Sequence, residues 1–82
     1  MATTSELGEL VRSVACELVE HPDAVVVRET GGESATVVEL RVAKSDLGKV
    51  IGKEGRTAQA LRTLLSALAM KLSRRAHLDI MD

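Results

Sequence analysis

The sequence predicts an α+β domain with the element order α-β-β-α-α-β and a three-stranded mixed sheet covered on one face by helices. Three observations predict it. Residues 24–30 and 36–42 are two runs rich in β-branched residues, separated by Gly31-Gly32-Glu33-Ser34, which reads as a hairpin turn. In the second run Val38, Leu40 and Val42 share one face while Glu39 and Arg41 point the other way, so one side of the sheet is buried and the other wet. Between the second and third strands lie two helical patterns, a connection long enough for a parallel, right-handed crossover.

The first helix carries Leu7, Leu10, Val11, Val14, Leu18 and Val19 as one continuous apolar stripe. Thr3 and Glu6 have the spacing of a capping box at its start. Pro22 disfavours helical geometry at His21, so His21-Pro22-Asp23 is expected to end the helix, with His21 near the negative end of its dipole. Ser45 is an expected N-cap for a short helix carrying Leu47, Val50 and Ile51. A longer helix, residues 56–73, presents Ala58, Leu61, Leu65, Leu68 and Leu72 to the core. In the last strand, residues 75–81, Ala76, Leu78 and Ile80 alternate with His77, Asp79 and Met81.

Composition narrows the function. Eighty-two residues make one small domain, whose core is marginal enough for partner burial to matter. No apolar run is long enough to span a membrane and the N-terminus lacks the basic start and apolar core of a signal peptide, so the cytoplasm is the expected location. The single cysteine, Cys16, excludes an internal disulfide and a cysteine-based zinc site, and reads as a buried or half-buried thiol. No catalytic constellation, metal-ligand spacing or nucleotide fingerprint is present, so neither an enzyme nor a cofactor is expected. The net charge of −1 conceals an asymmetry: residues 1–43 carry three arginines against eight carboxylates, residues 44–82 eight basic side chains against four carboxylates. A basic half of this kind suits a polyanion.

That basic half contains Val50-Ile51-Gly52-Lys53-Glu54-Gly55-Arg56, a short helix running into a glycine-bounded loop and then a longer helix. Glycine at position 52 can end a helix with positive φ, and Gly55 allows a sharp turn. The following helix directs free N–H groups and a positive dipole end at the loop, where Lys53 and Arg56 add formal charge. A Walker A reading fails, because Gly48 to Gly52 is one residue too short and Glu54 stands where Ser or Thr should bind magnesium. With the flanking Asp46-Leu47-Gly48-Lys49 and the amphipathic helix after it, the segment resembles the GXXG signature of a KH domain, whose loop clamps single-stranded RNA. The element order is similar to the type II KH fold, and the resemblance spans residues 1–82 as a single KH domain with its loop at 52–55. In length and layout the chain resembles the KhpA-like family of small bacterial single-KH proteins.

The resemblance implies a sheet in the order 1-2-3, with the first pair antiparallel and the second parallel. It implies RNA contacts at Lys49, Ile51, Gly52, Lys53, Glu54, Gly55, Arg56 and Ala58, with bases on an aliphatic floor. Val50 and Leu47 are candidates for one wall or its support, and Leu40 or Val42 for a contribution from the strand; Leu40 and Leu61 read better as core, while Ile51 and Ala58 fit either role. The chain contains no Phe, Trp or Tyr, so it cannot hold bases by aromatic stacking as RRM and OB modules do. Glu54 departs from a wholly basic loop and points to weak binding, on the order of 10⁻⁴ to 10⁻⁶ M. The family further implies self-association, or pairing with a KhpB (Jag/EloR)-like KH protein, and a role as RNA chaperone or post-transcriptional regulator linked to cell-envelope growth and division. The alternative function is a protein-interaction adaptor with RNA binding secondary. Ala60, Leu64 and Ala67 form a second apolar line on the long helix, read either as a dimer interface or as a widening of the core stripe.

Overall fold

A computed structural model of the chain describes residues 5–32 and 35–81. Helix α1 (Glu6–Leu18) leads into a 3₁₀ turn (Pro22–Ala24), then strands β1 (Val26–Gly31) and β2 (Ala35–Arg41). A second 3₁₀ turn (Lys44–Asp46), helix α2 (Leu47–Ile51), a third turn (Lys53–Gly55), helix α3 (Arg56–Lys71) and strand β3 (Arg75–Met81) complete it. The sheet order is β1-β2-β3, with β1 antiparallel and β3 parallel to β2. These are the order and the directions that the KH resemblance implies.

Alternation along the strands sends Val27, Thr36, Val38, Leu40 and Leu78 beneath the helices. Against them pack Leu7, Val11 and Ala15 of α1, Val50 of α2, and Leu61, Leu65 and Ala69 of α3. Fully burying one such aliphatic side chain is worth about 1.5–3 kcal/mol, and this cluster is what holds α2 and α3 over the sheet. The core face of α3 centres on Leu61, Leu65 and Ala69 at i, i+4, i+8, whereas Leu68 and Leu72 from the expected stripe are only partly buried. On α1 the same shift brings in Ala15 and leaves Leu18 exposed. Cys16 is half-buried, its Sγ 4.0 Å from the carbonyl oxygen of Pro22.

Three expected helix ends are corrected. Ser5 caps α1, its Oγ accepting from the Leu7 N–H at 3.2 Å, and the Glu29 carboxylate of β1 accepts from Ser5 N, Ser5 Oγ and Gly8 N at 2.6, 2.8 and 3.1 Å. A carboxylate from the sheet thus neutralises the positive end of the helix that covers it; the expected cap, Thr3, lies outside the described residues. Helix α1 stops at Leu18, before the Pro22 signal. The reason is Asp46, which accepts from the backbone N–H of Glu20 at 3.2 Å and of His21 at 3.0 Å and so draws the chain out of helical geometry. His21 contributes its backbone N–H there, while its carbonyl accepts from Ala24. The N-cap of α2 is this same Asp46, not Ser45, and its side chain is committed to the α1–β1 connection rather than to α2.

Asp46 has no exposed surface, and the Lys49 ammonium lies 3.7 Å from it. Burial pushes its carboxyl up, but the N–H donors of Glu20 and His21 and the charges of His21 and Lys49 outweigh burial and hold it below its ordinary value of 3.8. A depressed carboxylate contributes stability that is fully present above its unfolded-state value and is lost as pH falls through the folded-state value. Asp46→Asn is therefore expected to lower Tm at pH 7, and the gap to the parent is expected to narrow as pH falls below about 4, read by thermal melts across a pH series. At the far end of α3, Ser73 adopts φ 58°, with Ser73 N bonded to Met70 O and Arg74 N to Ala69 O. This is a left-handed helix terminus built without glycine. Ser73→Gly is expected to raise stability by about 0.5–1 kcal/mol, seen as an upward shift in Tm.

Candidate nucleic-acid interface

Helix α2 is a single buried anchor, Val50, with a polar outer face, and it ends where the Gly52 N–H bonds to Gly48 O at 2.8 Å. Gly52 then takes φ 79°, ψ 172°, a combination open essentially to glycine alone. The expected positive φ is present, but with an extended ψ that swings the chain away from the helix axis. A Cβ at this position would also lie 2.8 Å from the Thr57 backbone nitrogen and overlap the Thr57 side chain. Gly52 is therefore needed twice, for its dihedrals and for the close seat of Thr57 in the first turn of α3.

The turn closes through Gly55 N to Gly52 O at 3.1 Å. Both Glu54 (φ 58°, ψ 25°) and Gly55 (φ 75°, ψ 12°) are left-handed. Two consecutive left-handed residues turn the loop outward and aim the chain straight into α3 at Arg56. Glutamate in this conformation costs roughly 1 kcal/mol that glycine would not. No side chain caps the N-terminus of α3; its Arg56 N–H is bonded to Lys53 O within the turn, and the positive end of the helix dipole points at the loop.

The charged side chains around this loop are exposed: Lys49, Lys53, Glu54 and Arg56. They are not equivalent. Arg56 Nη2 lies 3.1 Å from the Glu54 carboxylate, and Lys49 is tethered to Asp46. Lys53 has no ion-pair partner among the described residues. The exposed Arg56–Glu54 pair is worth only about 0.2–1 kcal/mol, so an arriving anion displaces it at small expense.

Below the loop the apolar residues separate into support and surface. Val50, Leu40, Leu61 and Ala58 have 0–2% exposure, and Val42 is buried. Ile51 and Leu47 are half-buried and offer aliphatic surface beside the loop. Ala58, at 2% exposure, holds α3 against the core and has little surface of its own to offer. On the outer side of α3, Ala60 and Ala67 are exposed and Leu64 is 52% exposed, so Leu64 does not widen the core.

Sequence reasoning missed three residues of this region. Thr57 fills the space that Gly52 leaves, and nothing local marks it. Left-handed Glu54 was invisible because glutamate carries no such preference. Asp46 left a faint trace, the i, i+3 spacing to Lys49. Among the described residues no group of three His, Cys, Asp or Glu is placed to hold a metal ion, and no helix is long and apolar enough to cross a membrane.

The chain is 51% identical over 74 residues to the RNA-binding protein KhpA of Caldanaerobacter subterraneus, covering 90% of this chain and 99% of that protein. It is 49% identical over 78 residues to the protein of the same name from Aquifex aeolicus, with 95% and 99% covered. The Treponema pallidum protein of that name is 49% identical over 82 residues, the full length of both. Among solved structures, Aquifex aeolicus Era bound to GDP and AlF4⁻ superposes with a TM-score of 0.67 at 21% identity. That match covers 98% of this chain but only 32% of Era, and it is a likeness of fold. The family model for the KhpA/KhpB KH domain matches residues 8–80. With this fold, this loop and these relatives, the chain belongs to the KhpA/KhpB KH-domain family.

Proposed function

We propose that the chain is a single-stranded RNA-binding protein, one KH domain over residues 1–82, that grips the phosphate backbone at the 52–55 loop. One observation carries the reading: Gly52, Glu54 and Gly55 all have positive φ, which turns the loop out over the uncapped N-terminus of α3 between exposed cations. Phosphates would meet the positive end of α3 and the side chains of Lys53 and Arg56, with Lys49 at the flank. Arg56 exchanges Glu54 for phosphate as the strand arrives. Ile51 supplies the aliphatic surface for a base, and Ala58 supports it from beneath. The naming of close relatives as RNA-binding proteins supports the same reading.

At the level of physiology, the family resemblance supports a cytoplasmic RNA chaperone or post-transcriptional regulator linked to cell-envelope growth and division. The adaptor reading is favoured by a separate observation, the exposure of Leu64 between two exposed alanines on α3. Small residues on either side of a leucine suit close approach of a second helix, from another copy of the chain or from a KhpB (Jag/EloR)-like KH protein. The two readings are compatible, since pairing two weak RNA sites raises the effective concentration of the second once the first is filled.

Replacing both Lys53 and Glu54 by Asp is expected to abolish cross-linking to RNA while leaving the thermal melt close to that of the parent. Both positions are exposed, and aspartate tolerates the left-handed conformation at 54 better than most residues. Undiminished cross-linking would place the RNA site elsewhere. Leu64→Lys is expected to yield a folded monomer with weakened but measurable RNA binding, followed by light scattering and thermal melting. A variant that remains a dimer would remove the α3 stripe as the interface.

A further inference from the structure

Two hollows outside the loop lie end to end along one flank of α3. The nearer, of about 390 Å³, is lined by Arg62, Ser66 and Met70 among others. The farther, of about 250 Å³, shares Ser66 and Met70 and adds Arg74, Arg75 and His77, where α3 gives way to β3. Neither lining contains an Asp or Glu. The contrast is with the hollow on the open face of the sheet, where Glu39 sits among Arg28 and Arg41 and is paired in register with Arg28 and Asp79. A carboxylate thus answers the arginines of that hollow, while the two α3 hollows have none in their linings.

Within the farther hollow the Arg74 guanidinium is anchored but incompletely used. Its Nη2 donates to Thr36 Oγ1 on β2, yet its buried Nε has no partner among the described residues. That Nε lies out of reach of solvent, so what the hollow presents to an anion is the exposed charge of Arg75 with the imidazole of His77 beside it. The flank also connects to the loop. Arg56, Gln59, Thr63, Ser66 and Met70 recur at i, i+3, i+7, i+10 and i+14, a single stripe that starts at the loop cation and ends at this hollow, roughly 20 Å away. Met70 is 77% exposed and gives the stripe a polarizable apolar surface in a chain without aromatics. Ser66 follows Leu64 by two residues and so lies about 160° around the axis from it, while Ala67 lines the nearer hollow and borders both surfaces.

We propose that the α3–β3 junction is a second phosphate site and that an RNA strand clamped at the 52–55 loop continues along this flank to reach it. The inference rests on the RNA reading above and extends it from a clamp of about four nucleotides to a longer track. Arg62 and Arg75 hold the phosphates of the continuing strand, Arg74 fixes the junction through Thr36, and Met70 lies beneath the bases between them.

The test uses the full chain and two unstructured oligouridines, one of about four nucleotides and one of about sixteen. Affinities are measured by NMR titration for the short strand and by fluorescence anisotropy of a labelled long strand. The variant is Arg62→Glu with Arg75→Glu, both exposed and outside the loop, with the melt checked against the parent. The expected result is a roughly tenfold or greater loss for the long strand, with a log–log salt slope flatter by about 1.4, and unchanged affinity for the short one. Comparing variant with parent at each length removes the statistical advantage of a longer strand. Loss of both lengths by the same factor, or of neither, would overturn the track while leaving the loop clamp in place. If the parent binds neither strand, the RNA reading itself fails and the track with it.

Discussion

The site depends on a missing atom. Because Gly52 has no Cβ, Thr57 can seat against its backbone, and the last turn of α2 and the first turn of α3 can be joined by only a few residues. Any side chain at 52 would meet Thr57 and would also have to adopt a backbone conformation that L-residues avoid. With that contact in place, the two positive-φ residues that follow throw the loop outward. The N-terminus of α3 is then left open rather than buried against α2. Fold and site are thus coupled at one position: the packing that fixes α3 is the packing that exposes its positive end.

Two carboxylates perform the complementary task of fixing the helices to the sheet. Glu29 reaches from β1 to the start of α1 and satisfies three donors there. Asp46 reaches from the start of α2 back to the end of α1. Glu29 adds a long-range cap to the local one from Ser5, and Asp46 supplies one at the other end, so the ends of α1 are tied to β1 and to α2. For a domain of this size, whose apolar core is small, such ties matter because they order the chain where hydrophobic contact alone would not specify an angle. They also place two carboxylates in structural service, Glu29 at the start of α1 and Asp46 beside Lys49.

The features of this fold that were legible in the sequence are the local ones. Val38, Leu40 and Val42 against Glu39 and Arg41 mark the two faces of β2, and the two helices before β3 leave a parallel partner open to it. The loop was legible because glycine spacing, flanking helix and charge all lie within a few residues. What stayed hidden depends on residues distant in the chain. Glu29 looks like an ordinary strand residue until α1 folds over it, and Asp46 looks like one more carboxylate before a helix. The Ser5 cap is completed by Glu29, which receives its N–H from far along the chain. The helix faces were slightly misplaced for a related reason: Ala15 and Ala69 are fully enclosed in the core, where packing rather than hydrophobicity decides the fit.

The ion pair between Glu54 and Arg56 has a consequence for timing. An anion entering the loop must first separate a pair of exposed side chains that attract each other weakly, and on leaving it is replaced at once by a partner already within 3.1 Å. Such a built-in competitor lowers the net gain of the contact, by no more than the weak pair itself is worth. With dissociation constants on the order of 10⁻⁵ M and association near 10⁷ M⁻¹s⁻¹, a bound strand would stay for roughly ten milliseconds. On the proposed RNA reading, such a loop exchanges strands quickly, and long occupancy would have to come from a second point of attachment.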